Sequence, residues 1–234
     1  MTDLATLQEE VRFGARTLQR KLDDIWGHCT ARLPSGAGRE GFMLTYLRIP
    51  FKPVPPDEVY YFDYDGRLLE GRGQVPMEIP LYTNVYRSRP DVQSIVHVHP
   101  QAVVTLGLTG QTVQAIHSAS ARFRAGIPTF PGDMLDNDEV AQAMAAALDQ
   151  HVAILLRSHG AVTVGVDVPH AVCTALLLED TARMQLAAAA AGQVTPLEPR
   201  LLEWFVARNF VSQDELIWRY LEWEEESGTA PRRR

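Results

Sequence analysis

Cysteine is nearly absent from this 234-residue chain: Cys29 and Cys173 are the only two, far apart and in no CxxC pairing. That excludes a disulfide-stapled scaffold and a thiolate zinc finger. Excess positive charge is missing as well. Lysine and arginine number 22 against 29 aspartates and glutamates, and the net charge of −7 disfavours a non-specific nucleic-acid binder. No apolar run reaches the roughly 18 residues that a membrane span needs. The first 20 residues mix acidic and basic side chains at helical spacing, without the layout of a signal peptide, so the cytoplasm is the expected location. With 46% hydrophobic and 22% charged residues, 1–234 reads as one globular domain. A chain of this size buries roughly 70% of its unfolded surface and needs no staples.

What is present alternates between two periodicities. Leu4, Leu7, Val11, Ala15, Leu18, Leu22 and Ile25 predict an amphipathic helix over 4–26 ended by Gly27, with Phe13 off the stripe and Gly14 weakening its middle. Strand-like runs follow at 29–33, 42–47 and 59–62, then an Asp65-Gly66 turn and a return strand over 67–69. Four prolines make 49–56 a loop. Helices are expected over 80–89, 136–150 and 169–191, and another opens at Pro100. Strands are expected over 94–99, 152–156 and 161–164, the last two joined by a Ser158-His159-Gly160 turn. The mixture specifies an α/β protein without repeats or a domain linker. Beyond Pro196 and Pro199, the segment 200–226 gathers Trp204, Phe205, Phe210, Trp218, Tyr220 and Trp223, which suggests docking onto a neighbouring subunit in a homo-oligomer. The tail at 228–234 is expected to be disordered.

Three of the seven histidines sit where a metal would want them. His97 and His99 alternate on a strand, so their side chains share one face with Cα atoms about 7 Å apart. His159 follows an apolar strand and precedes Gly160, at a strand end where sites collect. Glu78 lies just before a predicted helix, nineteen residues upstream of His97. Three neutral imidazoles and a carboxylate suit one divalent ion per subunit, with Zn²⁺ the first expectation and Mn²⁺, Fe²⁺ or Co²⁺ alternatives, and leave positions open for a small-molecule substrate. An HxH pair also occurs as ordinary satisfied polar residues, and spacing alone does not bring the four together. His151 and His170 read as helix-end residues, and the two cysteines as buried apolar groups.

Longer stretches carry a resemblance. Glu78, Tyr86-Arg87-Ser88-Arg89-Pro90-Asp91-Val92, His97-Val98-His99-Pro100 and Leu155-Leu156-Arg157-Ser158-His159-Gly160-Ala161 stand in the order found in the class II aldolase/adducin family. Gly27-His28-Cys29-Thr30-Ala31-Arg32 resembles that family's early Gly-Asn/His-x-Ser-x-Arg element, with Thr30 in place of the serine. The match covers roughly residues 7–186. It implies a three-layer α/β/α sandwich around a mostly antiparallel sheet, and a divalent metal on His97, His99 and His159. It also implies a homotetramer with sites between subunits. Glu78 would be a metal ligand or the acid/base.

The chain departs from the family's sugar-phosphate aldolases where a phosphate would be held. His28 replaces the asparagine of the early element, and Pro76-Met77 replaces a Ser-Ser pair before the glutamate. Proline has no N–H and methionine no hydroxyl, so no phosphate cradle of that kind forms. The tyrosine donor of those aldolases is replaced by Ser118 in Ala115-Ile116-His117-Ser118. In their stead are His28, Arg48 and Tyr46, which suit a planar carboxylate-rich substrate. The sequence is therefore similar to the family's decarboxylase branch, which acts on hydroxylated aromatic or pyridine dicarboxylates such as 3,4-dihydroxyphthalate. Retro-aldol cleavage and decarboxylation of an ortho-hydroxy acid both leave electrons on a carbon beside a metal-bound oxygen. Glu78 and His117 are the candidates for protonating the ring carbon; His28, Arg48 and Tyr46 would bind substrate, with His28 and Arg48 as charged clamps for a second carboxylate. An aldolase on a small hydroxy-carbonyl substrate and a non-catalytic adducin-like module are the alternatives. A scaffold would have no need of the complete Glu-plus-three-His set.

Overall fold

The computed structural model describes residues 3–47, 58–72, 74–131, 134–208 and 213–228. Helix α1 (Leu4–Leu22) begins where the Asp3 carboxylate accepts from the Ala5 and Thr6 amides, satisfying donors that a first turn leaves free. It closes at Asp23, in the left-handed region at φ 57°, earlier than the apolar periodicity predicts. Phe13, which lies off the predicted stripe, is buried because Trp218 packs edge-on against it with ring centroids 4.7 Å apart. Gly14 is buried too. A Cβ there would come within 3.0 Å of Val172 and 3.2 Å of Cys29, so this weak helix former lets α1 pack closely.

Eight strands form one sheet: β1 (His28–Arg32), β2 (Phe42–Tyr46), β3 (Tyr60–Phe62), β4 (Leu68–Glu70), β5 (Ser94–Val98), β6 (Thr129–Phe130), β7 (Ala153–Leu156) and β8 (Gly160–Gly165). Their spatial order is β4-β3-β2-β1-β5-β8-β7-β6, and every neighbouring pair is antiparallel except β6 with β7. Helices α2 (Ile79–Ser88) and α4 (Asp138–Leu148) cover one face; α1, α3 (Gln101–Leu108) and α5 (Val168–Ala191) cover the other. The period-two alternation of the strands sorts the side chains between these layers. Phe42, Leu44 and Ile95 pack with Leu81, Tyr82 and Met144, whereas Met43, Val96 and Val98 pack with Val11, Leu18 and Val172. Each such side chain, fully buried, contributes about 1.5–3 kcal/mol. The result is a three-layer α/β/α sandwich around a mostly antiparallel sheet.

Several boundaries differ from the sequence reading. Helix α4 starts only after Asn137, whose side chain accepts from the Val140 amide, and strand β5 stops at Val98, which leaves His99 one residue past the ladder. The two-residue β6 and a 3₁₀ turn at Ala119–Phe123 are too short for any periodicity to announce. The proline-rich 49–56 and Phe210 lie outside the described residues, as does the tail beyond Gly228. The aromatic segment forms α6 (Pro199–Ala207) and α7 (Asp214–Glu226). Helix α7 docks through Trp218 and Leu221, flanked by Lys21–Glu224 (2.5 Å) and Arg122–Asp214 (2.6 Å) ion pairs. Trp204, Tyr220 and Trp223 remain exposed. Among the described residues no helix is long and apolar enough to cross a membrane.

Candidate metal centre

The centre is built at the end of β5, in the middle of the sheet. His97 is a register partner of His28 on β1 and of Val162 on β8, and it is fully buried. Its Nδ1 lies 3.0 Å from the Ala161 carbonyl oxygen. A carbonyl only accepts, so Nδ1 carries the proton and Nε2 presents its lone pair. That buried Nε2 makes no hydrogen bond. His99 is fixed by Asp24, which follows α1: one carboxylate oxygen accepts from the His99 amide at 2.6 Å, and both lie 3.3 Å from Nδ1. The Nε2 atom of His99 is thereby left for the centre.

His159 comes from the turn between β7 and β8, where Ser158 adopts φ 65°. Glycine is required on both flanks. A Cβ on Gly160 would lie 2.2 Å from the Val98 carbonyl oxygen, and one on Gly27 would lie 2.2 Å from that of His97. Both residues let neighbouring backbone close onto β5, which places the Gly27-His28 and His159-Gly160 pairs in physical terms.

Glu78 stands at the head of α2 without capping it. Its Oε1 lies 3.3 Å from His97 Nε2 and 3.4 Å from His159 Nε2, and its Oε2 lies 3.7 Å from His28 Nδ1. The ligand atoms offered by Glu78, His97, His99 and His159 all fall within 4.8 Å of one another. Ligands about 2.0–2.2 Å from an ion sit roughly 3.4 Å apart. The spacing, the mixed nitrogen and oxygen donors and the unpartnered lone pair of His97 therefore fit one divalent ion. Burial opposes the charge on Glu78, but the surrounding imidazoles outweigh it and hold the carboxyl well below the usual range. Burial opposes the Asp24 charge as well; hydrogen bonds from His99 and the Trp26 amide prevail and its pKa falls to about 2.

The remaining sequence-predicted residues divide. His28 is in the site, buried between Tyr46 and Tyr82 with ring centroids 4.7 and 5.9 Å away, and neither of its nitrogens has a hydrogen-bond partner. Burial lowers its pKa to about 3, which corrects one expectation: a desolvated imidazole is a neutral hydrogen-bonding group here and no charged clamp. Tyr46 presents its ring to His28 while its hydroxyl donates to the Gln74 carbonyl at 2.7 Å. His117 is not among the gathered ligands; its Nε2 lies 3.0 Å from Thr181 Oγ1 on α5. Arg48 lies outside the described residues. Pro76 is buried, and Met77, next to Glu78, is exposed.

Two carboxylates escaped the sequence reading. Asp24 reads as a polar residue in the last turn of a helix that in fact ends earlier. Glu179, left unassigned, is 2% exposed and accepts from the Ala102 and Val103 amides at 3.0 and 3.1 Å. It thus anchors the head of α3, directly after His99-Pro100. Other motif residues are structural: the Arg32 guanidinium donates to the carbonyls of Tyr86, Arg89 and Val92, and Thr30 meets the Tyr86 hydroxyl at 2.7 Å.

Residues 12–186 match the Class II Aldolase and Adducin N-terminal domain. The chain is 30% identical over 205 residues to the 3,4-dihydroxyphthalate decarboxylase of Arthrobacter keyseri, a match covering 80% of this chain and 81% of the relative. It is 40% identical over 123 residues to the 3,4-dihydroxyphthalate decarboxylase of Terrabacter sp. (strain DBF63), covering 50% of this chain and only about half, 52%, of that relative. Among solved structures, L-fuculose 1-phosphate aldolase from Glaciozyma antarctica PI12 superimposes with a TM-score of 0.78 at 22% identity, over 97% of this chain and 91% of the other. At that identity the likeness shows the fold alone.

Proposed function

The chain belongs to the class II aldolase and adducin family, and from that premise we propose that it is a metal-dependent decarboxylase of a hydroxylated aromatic or pyridine dicarboxylate, such as 3,4-dihydroxyphthalate. The relatives at moderate identity are lyases by name, and those reported above are decarboxylases of that substrate. The observation that carries the reading is what stands around Glu78 in place of a phosphate cradle. Where a phosphate would need hydroxyl and amide donors, the chain places the buried His28 and Pro76 and the exposed Met77.

His97, His99 and His159 would hold the ion, with Glu78 as a fourth ligand or as the proton carrier beside it. When bound, a divalent ion supplies a Lewis acid that stabilises negative charge developing on the substrate oxygen ortho to the departing carboxylate. Glu78 enters as a carboxylate, since its neighbours hold its pKa low. In this reading it takes the proton of the ortho hydroxyl and returns it to the ring carbon that bears the carboxylate. The carbon–carbon electron pair stays on the ring as carbon dioxide leaves, and the hydroxyl regains a proton from water. His28 hydrogen-bonds the second carboxylate as a neutral group, its ring held by Tyr46, and Arg48 supplies the positive charge. His117, whose Nε2 lies 3.0 Å from Thr181 Oγ1 on α5, is the alternative acid. Assembly into a tetramer with sites near subunit boundaries is part of the proposal, supported by the exposed Trp204, Tyr220 and Trp223.

The test is a panel of hydroxy-aromatic and hydroxy-pyridine dicarboxylates assayed for carbon dioxide release, beside fuculose- and rhamnulose-type phosphates assayed for aldehyde release. Carbon dioxide from one of the dicarboxylates is expected. Aldehyde from a sugar phosphate, with no carbon dioxide from any member of the panel, returns the protein to the aldolases.

A further inference from the structure

Asp24 carries a charge in a place where charge is expensive. Its side chain is 1% exposed, and an unpaired carboxylate at such depth costs several kcal/mol. Among the described residues its ion-pair partner is His99; no lysine or arginine is paired with it. Its compensation is three N–H groups: the His99 amide at 2.6 Å, the Trp26 amide at 2.9 Å, and the His99 ring Nδ1 at 3.3 Å from both oxygens. Two of the three belong to a single residue of the candidate centre.

The fully buried imidazole of that centre is supported differently. His97 gives its Nδ1 proton to a backbone carbonyl, a neutral acceptor. Among the described residues, His99 is the centre's imidazole with an anion behind its Nδ1. A carboxylate behind a ligating imidazole fixes its tautomer and ring plane and raises its basicity.

We propose that Asp24 is a positioning residue of the metal centre: it holds His99 with Nε2 toward the ion, so that affinity for a divalent cation depends on a residue that never touches it. The assignment rests on the metal site within the proposed function, but not on the substrate or on the reaction.

The experiment measures Zn²⁺ affinity of the purified protein by competition with a chromophoric chelator, and the visible absorption of the Co²⁺-loaded form. Asp24→Asn is expected to weaken Zn²⁺ binding by about 10- to 100-fold and to change the Co²⁺ spectrum. In a His99→Ala background the same substitution is expected to change affinity less than twofold, because Asp24 acts through His99. Should Asp24→Asn fail to fold, Asp24→Ser keeps an acceptor for the Trp26 amide without the charge and carries the same expectation. Zn²⁺ affinity within twofold of the parent in either folded variant overturns the assignment, as does an equal loss in the His99→Ala background. A parent protein that binds neither ion overturns this assignment and the decarboxylase together. Weakened binding in Asp24→Asn with no carbon dioxide from any substrate leaves Asp24 assigned and removes only the decarboxylase.

Discussion

His28 and His97 are register partners on adjacent strands, their rings stacked 6.3 Å apart at an interplanar angle of 20°, yet the site treats them in opposite ways. Burial discharges His28 and takes its pKa down to about 3. Burial acts on His97 as well, but Glu78 at 3.3 Å outweighs it and raises that pKa. Side by side, one imidazole faces a carboxylate at close range and the other stands beyond hydrogen-bonding distance of it. This asymmetry separates the proposed ligand from the proposed substrate-facing group.

Removing a ligand tests the centre directly. His97→Ala and His99→Ala are each expected to leave the purified protein without stoichiometric metal and without turnover. Elemental analysis beside a carbon dioxide assay checks this, and full occupancy in both variants would contradict the ligand assignment.

The neutral state of His28 predicts a dependence of stability on pH in metal-stripped protein. Unfolded, the imidazole takes up a proton near pH 6.5; folded, it resists until about pH 3. The unfolded chain therefore binds more protons in between. The stability that goes with neutral His28 is complete above pH 6.5 and is lost as pH falls, at up to about 1.4 kcal/mol per pH unit. Urea unfolding at pH 6.5 and 4.5 should show about 2 kcal/mol more loss in the parent than in His28→Asn. Equal losses would mean that His28 is already charged.

Glu78→Gln separates proton transfer from binding. It keeps the shape and one acceptor but cannot carry the proton, so turnover should fall by about 10²-fold or more with substrate affinity less affected. By contrast His28→Asn should weaken substrate binding only a few-fold, because a neutral hydrogen bond contributes about 0.5–1.5 kcal/mol. Steady-state kinetics of the two variants resolves kcat from KM. A loss in Glu78→Gln confined to KM would make Glu78 a binding residue.

Trp218 offers a stability test away from the chemistry. It is 7% exposed and packs against Phe13, so Trp218→Ala should cost about 3–5 kcal/mol in urea unfolding. Zn²⁺ affinity of the folded variant should not change. A cost under about 1 kcal/mol would mean that α7 is not docked there in solution.

Much of this site was legible because its residues sit on elements with strong periodicity. The alternation around His97 and the apolar strand before His159 are both read directly from side-chain order, as is the turn at Gly160. Asp24 was not legible, because the apolar stripe of α1 runs on through Ile25 while the backbone turns at Asp23, and no local pattern ties a carboxylate there to a histidine 75 positions on. Phe13 was misplaced for the same reason: its partner, Trp218, arrives from the other end of the chain. The charge state of His28 depends on desolvation by Tyr46 and Tyr82 from separate elements, and composition carries no information about that.

Gly27 and Gly160 press from either side against the carbonyls of His97 and Val98, so the spacing of the ligands is set by main chain, whereas the groups that would meet a substrate are the interchangeable side chains of His28 and Met77. In the proposed function, retention of the ion would rest on ligands spaced by the main chain, and choice of substrate on side chains beside them. A descendant of this protein could acquire a new diet by exchanging two or three side chains on β1 and ahead of α2 without first passing through a form unable to keep its metal. The two glycines themselves have no such freedom.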